Sequence, residues 1–76
     1  MTTLAQLRPG QRAEVVALSG PPALVQRLYE LGLFEGETVE FVATAPLGDP
    51  IEIRLGNSRL SLRRAEAAGV AVRPES

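Results

Sequence analysis

The stretch IEIRLGNSRLSL, Ile51 to Leu62, decides the fold class. Ile51, Ile53 and Leu55 alternate with Glu52 and Arg54, and Leu60 and Leu62 alternate with Arg59 and Ser61. Successive strand side chains point to opposite faces, so this pattern buries one face and solvates the other. Between the two runs stands Gly56-Asn57, a two-residue turn of the kind that tolerates positive φ. The reading is a β-hairpin.

Upstream, PLGDP (46–50) holds two prolines, a glycine and an aspartate. Proline suppresses ladder pairing, so this is a loop between strands. TVEFVATA (38–45) alternates, with Val39, Phe41 and Ala43 on one side. PALVQRLYEL (22–31) places Leu24, Val25, Leu28 and Leu31 at helical spacing, with Gln26, Arg27 and Glu30 largely opposite. So short a helix is marginal alone and must be held by packing. SGPP breaks what precedes it, and its prolines fit the first helical position, where a missing N–H costs nothing. RAEVVAL (12–18) is short, rich in Val and reads as a strand. In TTLAQLRPG a threonine caps a single helical turn, Leu4 and Leu7 point into the core, and Pro9-Gly10 turns the chain. Downstream, RRAEAAG fits a helical turn closed by Gly69, VAVR is a last strand, and PES is a frayed tail. About five short strands in so small a chain predict one domain over 1–76: a mainly β, partly closed SH3-like barrel with one short helix inserted between its first two main strands.

Composition narrows the chemistry. Of 76 residues, nine are acidic and eight basic, all eight basic residues being Arg, for a net charge of −1. That balance argues against nonspecific nucleic-acid binding, which needs a basic surface or stripe. With no Cys there is no disulfide and no thiolate; with no His and no Lys the usual general base and Schiff-base amine are also missing. Neither phosphate-binding glycine loop occurs. The chain reads as no enzyme. Glu30, Glu35 and Glu37 lack the His or Cys that a tight transition-metal site takes, and read as a solvated face. No cofactor is expected. No apolar run approaches the ~18 residues of a membrane span. The expectation is a cytoplasmic chain that meets a membrane only through a partner. Its folded surface should be about 4,500 Å². A standard interface takes about 800 Å² per partner, so a second copy could bind beside another protein, and exposed strand edges would suit a homo-oligomer.

The segments RLYELGLFEGETVEF (27–41), APLGDPIEI (45–53) and LSLRRAEAAGVAV (60–72), in this order and spacing, resemble the FeoA family, the small cytosolic proteins of bacterial ferrous iron uptake. The resemblance runs from Leu4 to Val72 and includes Gly10, Arg27, Gly32, Gly36, Asp49 and Glu66. It implies an SH3-like barrel without enzymatic activity. It also implies a role beside FeoB, the membrane transporter with a cytosolic GTPase domain. The same module resembles the C-terminal domain of DtxR-type metal-dependent repressors, which is the alternative reading. The family-level association with transition-metal binding finds no His or Cys here to support it.

Four residues are candidate partner contacts: Arg27, Tyr29, Leu47 and Asp49. Arg27, on the polar side of the helix, would touch the transporter or act as an arginine finger on its GTPase. The structural alternative is an ion pair to Glu30 three positions on. Leu47 would be an exposed apolar anchor on a loop stiffened by Pro46 and Pro50, with Gly48 in its turn. The alternative for Asp49 is a hydrogen bond to its own backbone. Gly32 is expected to cap the helix with Leu33 packing back, and Gly36 to turn the chain into the next strand.

Overall fold

A computed structural model describes residues 1–75. The expected elements form, and the agreement is closest where the pattern is most local. The hairpin strands are β4, Ile51–Leu55, and β5, Ser58–Leu62. β2 spans Arg12–Leu18, β3 Thr38–Thr44 and β6 Val70–Pro74, and the helix α1 spans Pro22–Glu30. A single turn, α2, covers Arg64–Ala67, and a 3-10 turn covers Leu4–Gln6. Thr2–Thr3 adds a strand, β1, where the sequence predicted only a helix cap; Thr2 pairs with Val72 and Thr3 with Ala71. The described residues therefore form six strands, in the order β1-β6-β2-β3-β4-β5, all antiparallel neighbours. The tail is less frayed than expected: Pro74 lies opposite Ala13 and the Glu75 N–H donates to the Arg12 carbonyl at 2.9 Å, while Ser76 lies outside the described residues.

The sheet curls without closing, since β1 and β5 remain its two edges. Two register shifts help to bend it, in β2 between Val15 and Ala17 and in β3 between Phe41 and Ala43. The second corrects the expected alternation. Val39 and Phe41 are buried, but beyond the bulge Ala43 leaves the core face and is only half-buried. The enclosed core includes Leu4, Leu28, Leu33, Phe41, Ile51, Ile53 and Leu62, and among the described residues no polar side chain is buried. Burial of each large apolar side chain contributes about 1.5–3 kcal/mol, which a chain without disulfides depends on. The accessible surface is 4573 Å².

α1 starts with Pro22 in its first turn, as its missing N–H allows. It buries a narrower face than its spacing predicts: Leu28 is fully buried, Leu24 and Leu31 pack partly on the core, and Val25 belongs to an outer groove with Pro22 and Tyr29. The helix stops as expected. Gly32 takes φ +95°, its N–H donates to the Tyr29 carbonyl at 2.9 Å, and the Leu33 N–H donates to the Leu28 carbonyl at 3.1 Å. This is the paired-bond glycine cap, and Leu33 turns back into the core, fully buried. Gly36 follows at φ +94°; its N–H donates to the Val15 carbonyl while the Val15 N–H donates to the Glu37 carbonyl, both at 2.8 Å. Those bonds dock the turn on the bulged part of β2 before β3 begins.

Gly69 closes α2 as expected, and the reason is a close backbone contact. It needs no left-handed conformation, but a Cβ there would stand 2.5 Å from the backbone oxygen of Ser19. The Ser19 N–H donates to the Gly69 carbonyl at 2.8 Å, so the end of β2 passes directly over this glycine. Gly69→Ala should therefore cost about 1–3 kcal/mol through forced separation of the two backbones, or several degrees in Tm for a domain of this size. An unchanged Tm would contradict the close approach.

Candidate partner-binding surface

The loop between β3 and β4 is fastened at its neck and at its far side. The Ala45 N–H donates to the Pro50 carbonyl at 3.0 Å, and the Gly48 N–H donates back to the Ala45 carbonyl at 2.7 Å. Pro46 and Leu47 occupy the centre of that tight turn, Gly48 takes φ +88°, and the Asp49–Pro50 peptide is cis. Asp49 does not bond its own backbone. Its Oδ1 accepts the N–H of Arg64 at 2.9 Å, so it satisfies one of the free donors that begin α2. Arg64 returns the connection: its Nε donates to the Gly48 carbonyl at 3.1 Å and its Nη1 to the Ala5 carbonyl. One side chain thus ties the loop to the 3-10 turn near the start of the chain. With the loop held, Leu47 at its tip is 97% exposed.

Arg27 also reaches α2. Its expected partner, Glu30, instead accepts a hydrogen bond from Gln26 at 3.3 Å. Arg27 Nη1 lies 3.5 Å from Glu66 Oε2, across the gap between the two helices. Glu66 has a second duty, since its Oε1 accepts the Arg63 N–H at 2.9 Å and caps the turn that carries it. Arg27, Leu47 and Asp49 are thereby gathered around α2. Tyr29 is not. Its hydroxyl donates to Glu35 Oε2 at 2.8 Å, and its ring packs against Phe34 with centroids 5.4 Å apart. The hydrogen bond to Glu35 raises the Tyr29 hydroxyl above its ordinary pKa, helped by local desolvation and the Glu35 charge. It stays protonated at neutral pH and serves as a donor, not a nucleophile.

Most remaining charges are paired across the sheet as its register dictates. Arg54 faces Glu40 and Arg73 faces Glu14, with ion pairs of 3.5 and 3.4 Å. Arg59 reaches Glu52 at 3.1 Å and Arg12 reaches Glu75 at 3.5 Å. With Arg27 this engages five of the eight arginines, so the described surface carries no basic stripe. Among the described residues no three carboxylates gather as a metal site would require. No helix among them is long and apolar enough to cross a membrane.

Sequence reasoning missed three residues. The sequence places Arg64 only within a helical turn, and its contact with Ala5 spans 59 positions, beyond any local pattern. Glu66 did carry a local signal, because a glutamate at the third helical position is half of a capping box even without Ser or Thr before it. Phe34 is half-exposed and completes an aromatic pair with Tyr29, which only the turn at Gly32 makes possible.

The FeoA domain model matches residues 2–74. The chain is 36% identical over 69 residues to the Fe(2+) transport protein A/Fe(2+) transporter FeoB fusion protein of Porphyromonas gingivalis; the match covers 91% of this chain and 8% of that protein's length. The FeoA protein of Chlorobium tepidum shares 42% identity and superposes with a TM-score of 0.87, over 95% of this chain and 69% of that one. The zinc complex of Stenotrophomonas maltophilia FeoA, described as a prokaryotic SH3 domain protein, shares 34% identity with a TM-score of 0.84 over 99% and 96%. A manganese-dependent transcriptional repressor superposes at 0.90 over 97% of this chain and 41% of its own, but at 16% identity the likeness shows the fold alone. The family match spans nearly every residue, and the SH3-like architecture agrees with it: the chain belongs to the FeoA family, accessory and regulatory domains linked to ferrous iron transport.

Proposed function

We propose that this domain is a non-enzymatic, cytoplasmic interaction module of ferrous iron uptake that binds the GTPase-containing cytosolic part of a FeoB-type transporter. The observation that carries the reading is Leu47, almost fully exposed on a loop that Arg64 and Asp49 hold in place. A free leucine on a mobile loop would lose entropy on binding; on a held loop most of that cost is already met by folding. The relative in which an FeoA unit and FeoB are one polypeptide supports the choice of partner, since fusion keeps the two units together. Leu47 is the anchor, Asp49 sets its loop, and Arg27 stands beside α2 at the edge of the contact. Tyr29, on the other side of α1, belongs to a separate aromatic patch and is the outlying member of the four.

Leu47→Asp should leave the fold intact and reduce co-purification with the transporter's cytosolic part by about tenfold or more, the range of a buried apolar anchor at an interface. Full recovery of the partner would remove Leu47 from the contact. Arg64→Met should act differently, because two carbonyls lose a donor. It should lower stability by about 1–3 kcal/mol and also weaken partner binding at temperatures where the variant remains folded. Normal binding by the folded variant would show that the held loop is irrelevant. Arg27→Ala tests the finger reading. Its ion pair with Glu66 already occupies the guanidinium, so the GTPase rate of the complex should not change. A fall of about 10³-fold would identify Arg27 as an arginine finger.

A further inference from the structure

β5 ends the sheet on one side with an unpaired edge. The opposite edge, β1, is only two residues long and too short to template another strand. β5 has five residues, no proline and no bulge in its pairing with β4; its one charged side chain, Arg59, is turned to Glu52 of its own sheet. Its bonding parity follows from the hairpin turn. Gly56 takes φ +61° and Asn57 does not take positive φ, which fits a type II′ turn between Leu55 and Ser58. The pair flanking such a turn exchanges both ladder bonds, and bonded pairs recur at every second residue. Leu55–Ser58, Ile53–Leu60 and Ile51–Leu62 are then the bonded pairs. Arg59 and Ser61 are left with N–H and C=O groups aimed outward, and both residues are exposed. Among the described residues no backbone or side-chain group bonds them on that side.

We propose that this edge pairs with the same edge of a second copy of the chain, antiparallel about Leu60, to join the two six-stranded sheets into one. The outward groups sit symmetrically at 59 and 61, so a two-fold axis at Leu60 places Arg59 of each copy opposite Ser61 of the other. Those are two bonded pairs, and each supplies two backbone hydrogen bonds. Leu60 then faces its counterpart in the closer, non-bonded position, with Cα atoms about 4.5 Å apart. Half-buried in one copy, Leu60 gains an apolar neighbour. No like charges stand opposite one another in this register, and each Arg59 keeps its ion pair with Glu52. A slip of two residues would set Arg59 against Arg59 and is disfavoured by that repulsion. The match is written in this chain's own five residues, which favours a second copy over a foreign strand. The contact is well below a standard interface, so the dimer forms only at high protein concentration. It does not depend on the role given to Leu47.

Sedimentation velocity over a concentration series tests the pairing on the whole chain. The wild-type protein should pass from monomer towards dimer as concentration rises. Ser61→Pro removes an outward N–H without touching the bonds to β4 and should hold the chain monomeric. Ser61→Arg places like charges opposite and should raise the dissociation constant, whereas Ser61→Asp should lower it, each by roughly 2- to 30-fold over the two symmetry-related sites. The Arg and Asp variants keep the test decisive if the proline variant does not fold. A wild-type chain that stays monomeric at millimolar concentration overturns the proposal. So does a dimer indifferent to both charge variants. Loss of transporter binding on Ser61→Pro, with no dimer in the wild type, would instead assign the edge to a strand from the partner.

Discussion

The Arg64 side chain is the interaction on which the candidate surface depends. Its Nε and Nη1 bond carbonyls of the 46–50 loop and of the 3-10 turn, while its backbone N–H is taken by Asp49. Two segments far apart in sequence are thereby fixed to one turn of helix. That turn in turn receives Arg27 through Glu66. A guanidinium suits this position because it offers several donors in a planar fork and keeps its charge in partly buried surroundings. Hydrogen bonds from a charged donor are stronger than neutral ones. The cluster is therefore a rigid platform beside a leucine that the fold leaves in water.

The rest of the molecule is consistent with recognition. Among the described residues no polar side chain is buried. Five arginines are engaged by carboxylates, several of them cross-strand partners, and the one phenol is kept protonated by Glu35. Exposed ion pairs of this kind contribute about 0–1 kcal/mol each to stability. Their larger effect is to cancel local charge, which leaves shape and apolar contact as the means of binding. Among the described residues, the Leu47 loop and the Tyr29–Phe34 pair expose apolar surface.

Local patterns were legible and long-range ones were not. The alternation in 51–62 and the glycine after Leu31 set the hairpin and the helix stop, because both depend on neighbours within a few residues. The same local logic assigned a threonine to a helix cap, a place Thr3 takes, but missed that pairing with β6 also makes Thr2 and Thr3 a strand. The bulge after Phe41 is not legible in the alternation of the run, because it lies in how β3 registers against β4. Gly69 was rightly marked as a stop, but only the passage of Ser19 across it explains why no larger residue fits. Within the candidate surface, the exposure of Leu47 followed from the prolines around it. The partners of Arg27 and Asp49 did not, because Glu66 and Arg64 come to them through the curling of the sheet.

The most direct measurement is an amide NMR titration of the whole chain with the transporter's cytosolic part. If the account is right, the signals of Leu47, Gly48 and Asp49 and those of α2 move or broaden first and together, while the centre of β4 stays still. Binding that leaves these amides unmoved and shifts residues elsewhere would contradict it.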